Sequence, residues 1–386
     1  MRIATAAGLA VGAGALALGT TGLLGHTSFP FGPMPAPAST QTVEPHTVLK
    51  PGTLAGATYQ NPVLNGNAAD PSVLYSENSY FLTHTGGSIS SGGAFPIETS
   101  PDAVHWEAAG HVLTRENAPA WVKPDGKFWA PDFQHVGEKY EVVFTAENRQ
   151  GQLQVGEATA DHAAGPYTAQ AQPLVKASDV GVIDPSIFHD ARSGENYLLW
   201  KVDGNAECRT TPIEIQRMNA AADALVGEPK EILRPELARQ GNLLEGPEMF
   251  TRPDGQYELM VAANRFGTPS YIEDTAKSPS PMGPFTFEPE PLASNGGGFV
   301  GVGHASNVFN AADGSPWLVA HAWEDGAVGP GNGHQRVLVM EPLTWDANGH
   351  PQLGPHGHPE AGKQTGPAQR GPVATPPTAP IKVARK

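Results

Sequence analysis

The ionisable groups Asp70, Asp132, Asp184, Glu245 and His304 stand in five short, mostly apolar segments: Ala-Asp70-Pro-Ser-Val, Trp129-Ala-Pro-Asp132-Phe, Ile-Asp184-Pro-Ser-Ile, Leu-Glu245-Gly-Pro-Glu and Gly-His304-Ala-Ser-Asn. Buried acids without partners are costly, so a chain that keeps several in apolar strands has a use for them. Two carboxyl groups facing each other across a cleft can break a glycosidic bond: one donates a proton to the leaving oxygen, the other activates water. Glu245 reaches one methylene further than an Asp and is the natural proton donor, with Asp70 as the base. Asp184, between Asp132 and Glu245 in the series, adds a negative charge that favours the protonated form of the donor. Glu248 is the rival donor, since the kink at Gly246-Pro247 leaves its direction open. Asp132 is expected as a hydrogen-bonding group of the channel that contacts substrate. Trp129, three residues earlier, either stacks on a sugar ring or packs in the core. His304 is either a satisfied core histidine or the holder of a metal or its water. Asp190, Asp203 and Asp254 read as turn residues.

The elements that must position these groups follow from a second regularity. Each segment leads into a polar turn and an aromatic strand, anchored at Tyr80, Tyr140, Tyr197, Tyr257 and Trp317, at intervals of 60, 57, 60 and 60 residues. That period is too long for a hairpin and suits a four-stranded sheet with its loops. Five such units predict an all-β, five-bladed β-propeller whose first strands line a central channel, bringing the five ionisable groups together. The 45 Gly and 38 Pro, with only 16% charged residues, suit many turns between short strands.

A formal charge of −15 argues against a nucleic-acid partner, because phosphate binding needs clustered Lys and Arg and no basic run appears in the body of the chain. There is no Gly-x-Ser-x-Gly elbow, His-Glu-x-x-His helix, phosphate loop or dinucleotide fingerprint, and no organic cofactor is expected. The lone Cys208 excludes an internal disulfide and reads as a thiol of no functional weight. Residues 1–38 read as a secretory signal peptide: an apolar run from Ile3 to Leu24 followed by Ala36-Pro37-Ala38, suited to cleavage before Ser39. The alternative is an uncleaved membrane anchor. Residues 39–58 read as a Pro/Thr-rich linker, 59–355 as the propeller, and 356–386 as a disordered Gly/Pro-rich tail. The expectation is a secreted monomer with no membrane contact once the leader is removed.

Taken in order, Ala-Asp70-Pro-Ser-Val, Trp129-Ala-Pro-Asp132, Ile-Asp184-Pro-Ser-Ile-Phe, Glu245-Gly-Pro, Gly-x-Gly-His304-Ala-Ser and Pro-Leu-x-Trp345-Asp resemble glycoside hydrolase family 43 over about residues 60 to 355. The resemblance implies a five-bladed propeller and an inverting mechanism, with Asp70 as general base, Glu245 as general acid and Asp184 tuning and orienting the acid. It also implies that His304 lies near a structural calcium in the central channel. The stretches Asp203 to Arg217, His321-Ala-Trp and Arg336-Val-Leu look most like arabinanase-like members. Departures at Met249-Phe250 and Asn264-Arg-Phe266 fall where loops next to the acid are expected to shape substrate binding. The implied activity is cleavage of α-L-arabinofuranosyl linkages in plant cell-wall polysaccharide or oligosaccharide. β-Xylosidase action is the enzymatic alternative, and a non-catalytic carbohydrate-binding propeller the other.

Overall fold

The computed structural model describes residues 53–177 and 179–370. They form the expected five-bladed propeller, each blade an antiparallel sheet. The first, second and third strands are Ala69–Ser76, Ser79–Thr85 and Gly93–Ser100 in blade I; Phe128–Val136, Lys139–Glu147 and Leu153–Ala160 in blade II; and Gly181–Asp190, Glu195–Asp203 and Ile213–Met218 in blade III. In blade IV they are Leu244–Thr251, Tyr257–Ala263 and Ile272–Ser278, and in blade V Phe299–Gly303, Pro316–Glu324 and Val337–Trp345. The outer edges are Glu107–Leu113, Thr168–Ala169, Leu225–Leu233, Thr286–Phe287 and Pro351–Leu353. The five periodic aromatics are all buried, so the repeat marks the packing between blades. Phe95, Phe128, Phe133 and Phe144, for example, lie in one cluster shared by blades I and II.

Each first strand is interrupted by a register shift, between Ala69 and Ser72, Trp129 and Asp132, Ile183 and Ser186, Glu245 and Glu248, and Val300 and Gly303. In blades I to IV a proline occupies the bulge, where a missing N–H costs no ladder bond. The residue before it is left-handed: Asp70 at φ 53°, Ala130 at 46°, Asp184 at 54° and Gly246 at 55°, with His304 at 51° in blade V. Such conformations cost about 1–3 kcal/mol each for a residue with a side chain and are kept where surrounding structure over-determines them.

The bulges free backbone N–H groups from the ladder, and a buried N–H must find an acceptor. The acceptor comes each time from the preceding blade. Asp70 N–H donates to His321 Nδ1 (3.1 Å), Ala130 N–H to Thr85 Oγ1 (2.7 Å), Asp184 N–H to Thr145 Oγ1 (2.9 Å), Gly246 N–H to Asp184 Oδ2 (3.0 Å), and Ala305 N–H to Glu273 Oε2 (3.0 Å). Every seam between neighbouring blades is therefore stitched beside the channel.

The ends correct the sequence reading. Thr53–Leu54 pairs with Gln369–Arg370, and Thr58–Tyr59 with Gln364–Thr365, so the last residues of the expected linker and residues 356–370 of the expected disordered tail are part of the fold. A Gly/Pro-rich composition predicts disorder, but these strands need only edges to pair with. A Cβ on Gly56 would lie 1.9 Å from the Gly366 carbonyl, so this close approach requires glycine. The ring is closed further by Val63 N–H to the Leu338 carbonyl (2.9 Å) and Asn61 Nδ2 to Glu341 Oε1 (2.9 Å). The expected leader, linker residues 39–52 and tail residues 371–386 lie outside the described residues. Among those described, no helix is long and apolar enough to cross a membrane.

Candidate active site

Asp70, Asp184, Glu245, His304 and Trp129 line one pocket of about 650 Å³ at the mouth of the channel. Four of them reach it from two positions of the bulge, and His304 from the residue just past the first strand of blade V. Asp70, Asp184 and His304 are the left-handed residues; Trp129 and Glu245 are the residues immediately before the left-handed Ala130 and Gly246.

Asp70 is the most heavily partnered. Its Oδ1 accepts from Arg336 Nη1 at 2.9 Å and lies 3.3 Å from His304 Nδ1, while Oδ2 accepts from the Thr85 hydroxyl at 2.6 Å. Thr85 takes the Ala130 N–H through the same oxygen, which leaves its own hydrogen for Asp70. Burial pushes the Asp70 carboxyl up, but Arg336, with His304 and Thr85, outweighs it and holds the group well below the usual carboxylate range. One lone pair of Oδ2 stays free for a further donor.

Glu245 accepts from Lys201 Nζ at 3.1 Å on Oε2 and from the Tyr271 hydroxyl at 2.8 Å on Oε1. Lys201 is buried and also lies 3.3 Å from Asp203. Burial disfavours its charge, but Glu245, Asp184 and Asp203 together more than restore it, so Lys201 is an ammonium. Asp184 holds the N–H of Gly246, the residue after Glu245, and so fixes the backbone that carries Glu245. Its own carboxyl is pushed up to about 6, by burial first and then by Glu245 and Asp70, against His304 and Lys201. Asp70 and Glu245 share none of these partners, each having its own cation and its own hydroxyl.

Trp129 is half-buried on the wall, with Lys127 Nζ 4.9 Å from the centre of its ring. Phe266 also lines the pocket and is exposed, with the Arg336 guanidinium 4.9 Å from its ring centre. Arg265 also lines the pocket, so the departure at 264–266 does shape it. Met249 does not: it is buried in the core between blades III and IV.

Two expectations are corrected. Asp132 does not line the pocket. It sits two residues past the left-handed position, in register with Ser72, Ser186, Glu248 and Ser306, and is buried. Its carboxylate accepts from Ser72 Oγ (3.0 Å), Ile187 N–H (2.8 Å) and Gln134 Nε2 (3.0 Å), leaving it a structural group of the channel floor. The rival acid Glu248 is on that same deeper level, and burial with the adjacent Asp132 pushes its carboxyl well up. Asp203, read as a turn residue, instead lines the pocket beside Lys201, and Cys208 lines it too. Asp190 and Asp254 do cap turns, accepting from the N–H groups of Arg192 and Gln256.

His304 was the candidate calcium residue. Calcium takes six to eight oxygen ligands, and no cluster of three or more His, Cys, Asp or Glu side chains among the described residues can hold a metal. His304 Nδ1 is directed at Asp70.

A five-bladed propeller with a carboxylate-lined pocket at its mouth defines a class, and comparison with known proteins gives the family. Residues 59–351 match the glycosyl hydrolases family 43, and the chain belongs to it. It is 29% identical over 318 residues to a non-reducing end α-L-arabinofuranosidase of Bacteroides ovatus, covering 79% of this chain and 55% of that protein. It is 27% identical over 253 residues to a xylan 1,3-β-xylosidase of a Vibrio species, covering 60% of this chain and 43% of that protein. The chain thus spans about half the length of these two relatives. Among solved structures, a thermostable family-43 glycoside hydrolase superposes with a TM-score of 0.71 at 28% identity, over 80% of this chain and 99% of that one.

Proposed function

We propose that the protein is a secreted, inverting glycoside hydrolase that cleaves α-L-arabinofuranosyl linkages in arabinan or arabinose-substituted plant polysaccharide. The observation that carries the reading is the division of partners around the pocket. Asp70 is held ionised by Arg336 while keeping a free lone pair, and Glu245 stands apart from it on Lys201 and Tyr271. In the proposed reaction a water bound to Asp70 Oδ2 attacks the anomeric carbon and passes its proton to that oxygen. The bond from carbon to the leaving oxygen breaks as Glu245 delivers its proton there. Inversion requires about 6.5–9.5 Å between the two carboxyls, room for that water. Asp184 acts as a positioning residue through Gly246. Trp129 and Phe266 supply apolar faces against which a furanose ring stacks. The likeness to the Bacteroides arabinofuranosidase supports arabinose as the sugar. The Vibrio xylosidase supports the second reading, a β-xyloside.

The test is product analysis on linear 1,5-α-arabinan beside aryl α-L-arabinofuranoside and aryl β-xyloside, with Glu245→Gln as control. Arabinose or arabino-oligosaccharides of inverted configuration are expected, with turnover of poor leaving groups lowered by about 10²–10⁴-fold in the variant. Activity on the xyloside alone would move the assignment to the second reading, and no product from any of the three would sink it. N-terminal sequencing of the exported protein tests secretion, with Ser39 as the expected first residue.

A further inference from the structure

Asp70 and Glu245 come from different blades and share no partner, so the charges and hydrogen bonds described so far do not set the distance between them. A pair of rings links them. The Tyr271 hydroxyl donates to Glu245 Oε1 at 2.8 Å. Its ring lies parallel to that of His321, centroids 5.6 Å apart at 6° between planes. His321 Nδ1 in turn accepts the N–H of Asp70 at 3.1 Å. Both side chains are fully buried. The Tyr271 ring also abuts backbone: a Cβ on Gly303 would lie 2.5 Å from its Cε1.

We infer that Tyr271 and His321 are positioning residues, a stacked spacer that sets the distance between the two carboxyl groups of the proposed glycosidase. The inference rests on that functional reading. Rigid rings suit the task because they cannot shorten or lengthen, and misplacing a reacting group by about 1 Å can cost about 10²-fold in rate. The chemistry of His321 agrees. Its Nδ1 lone pair is taken by the Asp70 N–H, so the proton sits on Nε2, which has no partner. Burial, and the nearby Arg336, hold this imidazole neutral. His321 therefore contributes place to Asp70, while Arg336 contributes charge. Burial, and the Glu245 carboxylate, likewise keep the Tyr271 phenol protonated as a donor.

Two ring-keeping variants cut the spacer at opposite ends. Tyr271→Phe removes only the link to Glu245, and His321→Phe only the link to Asp70. Each is assayed on the aryl glycoside the wild type accepts, once with phenol and once with 2,4-dinitrophenol as leaving group; the second leaves without a proton. Tyr271→Phe is expected to lower kcat about 10-fold on the phenyl glycoside and less than about 2-fold on the dinitrophenyl one. His321→Phe is expected to lower kcat by about 10²-fold on both, because attack of water is common to them, with KM little changed. Wild-type kcat in either variant, or the same leaving-group dependence in both, would overturn the spacer. A wild type inactive on every aryl glycoside would instead overturn the functional reading, and that measurement comes first.

Discussion

The carboxyl groups around the pocket and those beneath and beside it are similarly buried, but they keep different company. Asp70 has Arg336, and Glu245 has Lys201. Asp132, Glu248, Glu141 and Glu157 form no ion pair among the described residues. Glu141 and Glu157 lie on neighbouring strands of blade II, and each keeps one oxygen with no partner. Burial pushes both up to about 8, reinforced by Asp223 at Glu141 and by Glu141 and then Asp223 at Glu157. Arg336 keeps the buried Asp70 ionised, whereas Glu141 and Glu157, buried without a cation, hold their protons more readily. Burial alone therefore does not mark the chemistry of this protein. An acid paired with a cation that also lines the pocket, Arg336 or Lys201, does.

The sharpest way to break this contrast is to strip the cation from the base. Arg336→Met should lower activity by about 10²-fold at mildly acidic pH and move the acid limb of the kcat/KM profile upward, because Asp70 then takes up a proton more readily. A profile limb that stays in place would mean Arg336 does not set the state of Asp70. Next in size is Lys201→Met, which leaves Glu245, Asp203 and Asp184 without their ammonium. Denaturant unfolding at pH 7 should lose about 3 kcal/mol, toward the low end for a broken buried pair because the pocket is open to solvent. The smallest effect belongs to the other set. Since the native state holds protons on Glu141 and Glu157 more tightly than the unfolded chain, their contribution is full below about pH 4.5 and is lost as pH rises through about 8. Glu141→Gln with Glu157→Gln should cost less than about 1 kcal/mol at pH 6 and flatten the decline in stability between pH 6 and 8. A decline as steep as wild type would show that these acids are already ionised.

Much of this was legible in the sequence, because a propeller repeats its inner strand and the repeat carries the chemistry. Asp70, Asp184, Glu245 and His304 all reach the pocket. Asp132 was misplaced through a register error with a physical cause. Equating acids assumed that the acid itself defined the repeat, whereas the bulge does. Aligning Pro71, Pro131, Pro185 and Pro247 puts Ala130 opposite Asp70 and Asp184, with Asp132 two steps deeper. Lys201, Tyr271 and Thr85 were missed because they come from second and third strands or their approaches, where no local motif repeats. Lys201 did leave a trace: one cation in the apolar run Tyr197-Leu-Leu-Trp-Lys-Val, which calls for a buried acid. No pattern within a single strand could have found the Tyr271–His321 stack, since it joins side chains of two different blades, IV and V.

That closure has a consequence for how the chain could be rewired. Thr53 and Arg370 are partners in one small sheet, which brings two distant stretches of chain side by side. The seams between blades are held by side chains reaching across to backbone rather than by sequence order. A circular permutant that joins residue 370 to residue 53 through a short linker, and opens the chain at the exposed turn around Gly194 in blade III, should therefore refold with all five seams intact.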